Sequence, residues 1–338
     1  MLKNKINVWF PTVRAKSGSD VYTTRLCAAL KKRGVNCEIT WFSQLHEFIP
    51  FFMGIKSPPK NTNIIHTTSW NAFAFQSKKT PLVCTLHHNV FDPELSAYKS
   101  ILQSVYHNYL IRDFETKSLK KSSINIAVSQ YTANSYEKTF NINNTKVIHN
   151  WLDTDAFKPP QIRIKNKTFK LLFIGNFSRR KGADLLPKIM SRLGKGYELH
   201  TTGGIRDKTA LNQKVLSIIN HGHIPETHDL ISLYQSCDAL IFPSRLEGFG
   251  LAALEAQACG LPVIATNSSA FPEVVIDGVT GSLCPKDDVN AFVSAIYNLK
   301  NQPETIASMQ VQARQHVLTN FTEHKIISEY ISLYKTLL

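Results

Sequence analysis

No apolar run in this chain of 338 residues approaches the roughly 20 residues needed to cross a bilayer as a helix. A helical membrane span is therefore not expected. Residues 1–10 contain no long apolar core and no small-residue cleavage site, so no signal peptide is expected either. Cysteine is scarce. The six, at 27, 37, 84, 237, 259 and 284, show no metal or redox spacing. Most sit in apolar strand or helix patterns, as buried free thiols do in a reducing cytosol. There is no internal repeat and no low-complexity tract, which sets aside solenoids and disordered tails. Acidic residues are also in short supply, 25 Asp and Glu against 39 Lys and Arg, for a net charge of +14. The deficit is steeper in residues 1–155, where 19 basic residues face 10 acidic ones. A positive surface of this kind suits anionic lipid, anionic glycan or nucleic acid, or is simply a solvated face. No nucleic-acid recognition motif accompanies it, so a nucleic-acid partner is not expected.

What is present suffices for two ordinary domains, with 43% apolar residues. The most informative stretch is residues 237–266. Ala239 to Phe242 is a short apolar run closed by Pro243 and Ser244, as in a buried parallel strand. A helical pattern starts near Phe249, places Leu251, Ala252, Leu254, Glu255 and Ala258 at helical spacing, and stops at Gly260 and Pro262. Leu261 to Ala265 reads as the next strand. A strand–helix–strand unit puts the helix N-terminus at the carboxyl edge of the sheet, where open α/β sheets bind ligands. Gly248 and Gly250 flank Phe249 at the helix entry and let an anion approach free backbone N–H groups. Glu247 and Glu255 bracket the turn, and both carboxylates can face one pocket because helical side chains lean toward the N-terminus. An anion site with two hydroxyl acceptors matches a sugar nucleotide. Acids also favour helix N-termini with no ligand at all.

The string Pro-Ser-x-x-Glu-Gly-Phe-Gly-Leu-x-x-Leu-Glu-Ala-x-Ala-x-Gly-x-Pro-Val-Ile-Ala, at residues 243–265, closely resembles the donor-site signature of glycosyltransferase family 4. The resemblance implies the GT-B fold, an α/β architecture of two Rossmann-like domains whose parallel sheets face a central cleft. It implies an acceptor-binding domain over 1–155, a donor-binding domain over 156–322, and a C-terminal helix, 323–338, crossing back to the first domain. The family's two-glutamate motif falls on Glu247 and Glu255. In that pattern Glu247 acts on the transferred hexose, Glu255 on the ribose, and the backbone at Gly248, Phe249, Gly250 and Leu251 on the diphosphate.

The rest of the chain fits the same pattern. Ile6 to Phe10 reads as the first strand. A polar loop with Gly18 follows, then a helix to about Arg33 with Val21, Leu26, Ala29 and Leu30 inward. A glycine loop at this place faces the donor phosphates in the family, which puts Gly18 among the donor residues. Residues 48–55 are unusually aromatic. They read either as a loop packed on its own domain or as an exposed patch that touches membrane or a lipid-linked acceptor, with Lys56, Lys60, Lys78 and Lys79 following. The strand 81–86 runs into His87 and His88. The family carries a histidine here beside the transferred sugar, and His87 matches it. Residues 97–121 read as one long amphipathic helix. Asp153 and Asp155 form an Asp-x-Asp at the domain boundary and are read as structural, so no metal or other cofactor is expected.

In the second half, Leu171 to Ile174 is a strand, Gly175 turns the chain, and Arg179, Arg180 and Lys181 lie in the following loop. Fixed cations there would hold a diphosphate and stabilise it as it leaves. Lys181 matches the family lysine, and Arg180, with Arg179 as the alternative, supplies the arginine. A strand running into Gly203 and Gly204, and a loop with His223 and Ile224, match donor and base contacts. The resemblance thus implies a retaining glycosyltransferase, cytoplasmic or peripheral on the inner face of the plasma membrane. It would move a hexose from a UDP- or GDP-sugar to a glycan or lipid-linked acceptor in a bacterial lipopolysaccharide, O-antigen or capsule. The competing readings are a sugar-nucleotide 2-epimerase of the same fold and a basic nucleic-acid-binding protein.

Overall fold

The computed structural model describes residues 5–15, 17–75, 79–163, 167–203 and 217–338. Lys78 and Gly204, named above, lie outside them. The chain divides into two compact units, one of Met1–His149 with Glu323–Leu338 and one of Asn150–Thr322. The passage falls before Asn150 because Trp151 and Leu152 are already buried and the Leu152 N–H donates to the Phe321 carbonyl of the second unit.

In unit 1 the strands are β1 (Asn7–Val13), β2 (Asn36–Phe42), β3 (Ile64–Thr68), β4 (Leu82–Leu86), β5 (Ile124–Ala127) and β6 (Thr145–Val147). They form one sheet in the order β2-β1-β3-β4-β5-β6, with every pairing parallel. Unit 2 has β7 (Phe169–Ile174), β8 (Tyr197–Thr202), β9 (Ile218–Asn220), β10 (Ala239–Phe242), β11 (Val263–Thr266) and β12 (Gly281–Cys284), in the order β12-β11-β10-β7-β8-β9, again all parallel. Both sheets are doubly wound. The order reverses between β1 and β3 in unit 1 and between β7 and β10 in unit 2, and such switch points open a crevice at the carboxyl ends of the strands. Strands covered on both faces read as unbroken apolar runs. Accordingly β4, β10 and β11 are buried at every position.

Three expectations need correction. The first strand runs on to Val13, through Pro11. The ladder to β3 stops at Trp9, so the missing proline N–H costs that side nothing. Val21 is 44% exposed; the inward stripe of the helix Gly18–Lys32 runs instead through Tyr22, Leu26 and Leu30, four residues apart. The region 97–121 is not one continuous α-helix. A helix Ile101–Tyr106 with a full capping box at Ser100 leads into a π turn, His107–Ile111, and then Arg112–Lys121.

Candidate active site

The unit 2 site is assembled by the two loops that leave adjacent strands at the switch point. After β7 the chain turns at Gly175 and reaches Arg180 and Lys181; after β10 it passes Ser244 and Glu247. Gly182 shows how closely these loops approach. It adopts φ +70°, and a Cβ there would lie 2.1 Å from the Pro243 carbonyl oxygen, so only glycine fits. The Lys181 ammonium meets the Glu247 Oε1 at 2.5 Å, and its Nζ stands 4.9 Å from the Phe242 ring centroid. Ser244 Oγ donates to the same oxygen at 2.8 Å, and the Glu247 N–H donates to Ser269 Oγ at 3.0 Å. Arg180 Nη1 lies 3.6 Å from Glu247 Oε1 and donates to the Leu246 carbonyl at 2.7 Å.

These contacts fix the charge state. Burial lowers the Lys181 pKa, with Glu247 pulling it back up. Burial raises that of Glu247, but Lys181 and Arg180 outweigh it and hold the carboxyl below its ordinary value. The carboxylate therefore remains ionised at neutral pH. The helix Leu251–Ala258 begins beside them, with Gly250 in left-handed conformation at its cap (φ 94°). Phe249 is buried against Phe321, ring centroids 5.8 Å apart, so it anchors the turn as a core side chain. Leu251 is half-buried, and the first N–H groups of any helix lack intrahelical partners. Glu255 is half-buried on the first turns, and its Oε2 accepts from the Tyr234 hydroxyl at 2.9 Å. His223 is exposed and Ile224 half-buried in the loop after β9, which is tied to the same sheet edge by the Gly203 N–H donating to the Gly222 carbonyl at 2.8 Å.

Arg245 was not singled out by the sequence. It is 6% exposed, donates to both Asp184 carboxylate oxygens at 2.7 and 2.9 Å, reaches Asp287 at 2.5 Å, and also donates to the Arg179 carbonyl. It thus clamps the loop that carries Arg180 and Lys181. Its partner Asp184 is 61 residues away, so no local pattern signals the pair. Arg179 itself is exposed and engages Arg245 through its backbone, leaving Arg180 as the arginine beside Glu247. Ser244 and Ser269 were legible only as residue types, not as the groups that hold Glu247.

The unit 1 switch point has a different chemistry. A small cavity there is lined by Phe10, Thr12, Tyr22, His66, Thr85 and His87, among others. His87 stands just past β4, its ring edge-on to Tyr22 at 4.8 Å, and its buried Nε2 has no hydrogen-bond partner. Burial lowers its pKa to about 4, so the imidazole is neutral. His66 is held between the Tyr334 hydroxyl and Thr85 Oγ1, both at 2.6 Å, and burial lowers its pKa to about 3. Tyr22 in turn bonds Tyr330 of the C-terminal helix. Gly18 opens the helix Gly18–Lys32, is exposed, and has open space where a Cβ would be. Asp153 caps its own turn, accepting from the N–H groups of Asp155 and Ala156 at 3.1 Å each. Among the described residues no group of three or more His, Cys, Asp or Glu is placed to hold a metal ion.

Comparison with known proteins bears on both units. Residues 155–316 match the family model for glycosyl transferases group 1, and residues 51–156 that for Glycosyltransferase Family 4. A capsular polysaccharide biosynthesis glycosyltransferase of Staphylococcus aureus is 27% identical over 194 residues, 55% of this chain and 51% of that one. A lipopolysaccharide core biosynthesis mannosyltransferase of Rhizobium meliloti is 28% identical over 222 residues, covering 58% and 61%. The chain thus spans about half the length of the curated relatives it matches. Sucrose-phosphate synthase of Thermosynechococcus elongatus superimposes with a TM-score of 0.82 at 20% identity, covering 98% of this chain and 99% of that one. The Anabaena protein HepE, solved in complex with UDP, superimposes at 0.75 with 16% identity over 98% and 100%. These likenesses establish the GT-B fold.

Proposed function

Because this chain belongs to the glycosyltransferases of group 1 and family 4, we propose that it transfers a hexose from a UDP- or GDP-sugar to a hydroxyl of a glycan or lipid-linked acceptor, with retention at the anomeric carbon. The observation that carries the reading is the convergence of Lys181, Arg180 and Glu247 at the unit 2 switch point, beside the start of the helix Leu251–Ala258. A nucleoside diphosphate needs fixed positive charge, and a sugar needs carboxylates to accept its hydroxyls. That edge offers both, at the start of a helix whose dipole favours an anion. As the glycosidic bond loosens, charge builds on the leaving diphosphate. Lys181 and Arg180 then exchange part of their interaction with Glu247 for the phosphates, and the freed carboxylate accepts from the hexose. Glu255, steadied by Tyr234, reads the ribose, while the Gly248–Leu251 backbone meets phosphate oxygens and the His223–Ile224 loop the base.

His87 contributes a neutral imidazole whose unpartnered Nε2 can hold a sugar hydroxyl. Gly18 leaves room at the start of its helix for the donor phosphates. No divalent ion takes part in this reading, because side-chain cations already meet the diphosphate charge; turnover is expected to survive chelation. HepE, a protein of the same fold, has been solved with UDP-glucose, and the S. aureus and R. meliloti relatives act in capsule and lipopolysaccharide synthesis. These support a uridine donor and a cell-envelope acceptor, and with them work at the inner face of the plasma membrane.

The test is Glu247→Gln, which keeps the volume and the hydrogen bond to Ser244. Sugar transfer should fall by about 100-fold or more, of the order seen when one transition-state contact is removed, while UDP binding by calorimetry persists. Wild-type transfer in this variant would refute the assignment. Release of a free epimer from donor alone, with no acceptor, would favour the epimerase reading instead.

A further inference from the structure

We propose that an apolar ridge on unit 1 seats this protein on an anionic bilayer surface. The proposal rests on the glycosyl-transfer reading only for its purpose, and its test involves no turnover. Two segments form the ridge. In the first, short 3-10 turns at Gln44–Glu47 and Pro50–Ile55 bury Pro50 and Met53 and leave Leu45, Phe51, Phe52 and Ile55 at least half exposed. Gly54 accounts for this posture. A Cβ there would lie 2.4 Å from the Ala74 carbonyl oxygen, so the turn is pressed onto its own unit on one side while the rings stand out on the other.

The second segment is the helix Ile101–Tyr106 with the π turn behind it. Ile101, Leu102, Val105 and Tyr109 recur at i, i+1, i+4 and i+8, one helical face, and that face is in solvent, with Ile101 83% exposed. Ile111 and Phe114, just beyond, are buried. The π turn His107–Ile111 adds a residue to one turn, which offsets the outward stripe from the inward one. The segments lie side by side: the Tyr106 hydroxyl donates to the Glu47 carbonyl at 3.2 Å, and its ring lies 5.5 Å from that of Phe48.

Eleven of the twenty large apolar side chains exposed among the described residues fall in these two segments. Scattered exposure needs no explanation, but a contiguous patch marks an interaction surface. Charge identifies the partner. No acid occurs between Glu47 and Asp92, or between Glu94 and Asp113, whereas Lys56, Lys60, Lys99 and Arg112 do. Apolar side chains set among cations, with Glu47 the one carboxylate in the two segments, fit the boundary of an anionic membrane. The rings enter the acyl region and the exposed Lys56, Lys60 and Arg112 meet the headgroups. A second copy of the chain would bring like charge against like.

The experiment is co-sedimentation of the full chain with phosphatidylcholine vesicles, with and without phosphatidylglycerol, at low and high salt. Binding should require the anionic lipid and weaken with salt. Phe51→Ser with Phe52→Ser, and separately Ile101→Ser with Leu102→Ser, should each reduce partition by about tenfold or more, since each removes the insertion of two large apolar groups. All four side chains are exposed, so the fold should be kept, and circular dichroism with UDP calorimetry on each variant checks this. The proposal is overturned if the wild type stays in the supernatant, if both variants bind vesicles as tightly as it does, or if the ridge proves to be a dimer contact that these substitutions break without any lipid binding. Unaltered UDP binding in a chain that ignores vesicles would defeat the ridge alone; vesicle binding with no UDP binding would defeat the donor reading alone.

Discussion

The two units share a sheet of six parallel strands and differ in what they place at the point where strand order reverses. Unit 2 concentrates ions there: Lys181, Glu247, Arg180, and the Arg245–Asp184 clamp behind them. Unit 1 places uncharged groups there, threonine hydroxyls, the Tyr22 phenol and two histidines whose burial keeps them neutral. The same topology therefore gives one edge fixed, paired charges and the other neutral hydrogen-bonding groups. Charge in unit 2 is affordable because each ion is met by a partner. Neutrality in unit 1 leaves an imidazole nitrogen open without the cost of a buried charge.

That contrast can be broken from either side. The largest effect is expected from Lys181→Gln, which removes the cation from the charged edge. Transfer should fall by about 1,000-fold and UDP affinity should drop in calorimetry; equal UDP binding in this variant would show that the charged edge does not serve the donor. Next is Arg245→Met, which leaves Asp184 without its bidentate partner and frees the loop before it. Asp184 and Asp287 are partly exposed, so the loss should be about 2–3 kcal/mol, below that of a fully buried pair, read as a lower urea midpoint. An unchanged midpoint would mean the clamp is ornamental.

The smallest effect concerns the neutral edge. His66 has a folded pKa of about 3 against an ordinary 6.5. The unfolded chain therefore binds a proton below pH 6.5 that the folded chain refuses. Stability is full above that pH and declines as pH falls from 6.5 toward 3, by roughly 2–3 kcal/mol at pH 4.5 at most. His66→Gln keeps both hydrogen-bonding roles without the titration, so urea denaturation across pH 7.5 to 4.5 should show a shallower slope. A slope identical to wild type would place the acid sensitivity elsewhere.

The contrast between the units also decides how much was legible in the sequence. In unit 2 strand, turn and helix follow one another locally, and Ala239–Phe242, Gly250 and the stop at Gly260 sit where pattern places them. Pairings that decide the chemistry were not legible, because Lys181 with Glu247 and Arg245 with Asp184 join distant loops. Their residue types could be named but not their mutual contacts. In unit 1 the difficulty was periodic. The region 97–121 carries apolar residues on two faces, and a pattern that assumes an unbroken 3.6-residue repeat merges them into one helix. Residues 48–55 posed the opposite problem: aromatic composition alone does not say which rings are buried, and the structure buries Met53 and exposes Phe51 and Phe52.

The side-by-side placement of β7 and β10 has a consequence for how the protein matures. Their contact is closed by the Lys170 N–H bonding the Asp238 carboxylate, 68 residues further along, so everything between must be threaded before the strands meet. Closing so long a loop costs entropy that early, local contacts do not repay. A chain emerging from the ribosome would thus acquire helices and neighbouring strands first and, on the proposed reading, competence for the nucleotide last. In refolding followed by stopped flow, recovery of UDP binding should trail recovery of helical signal.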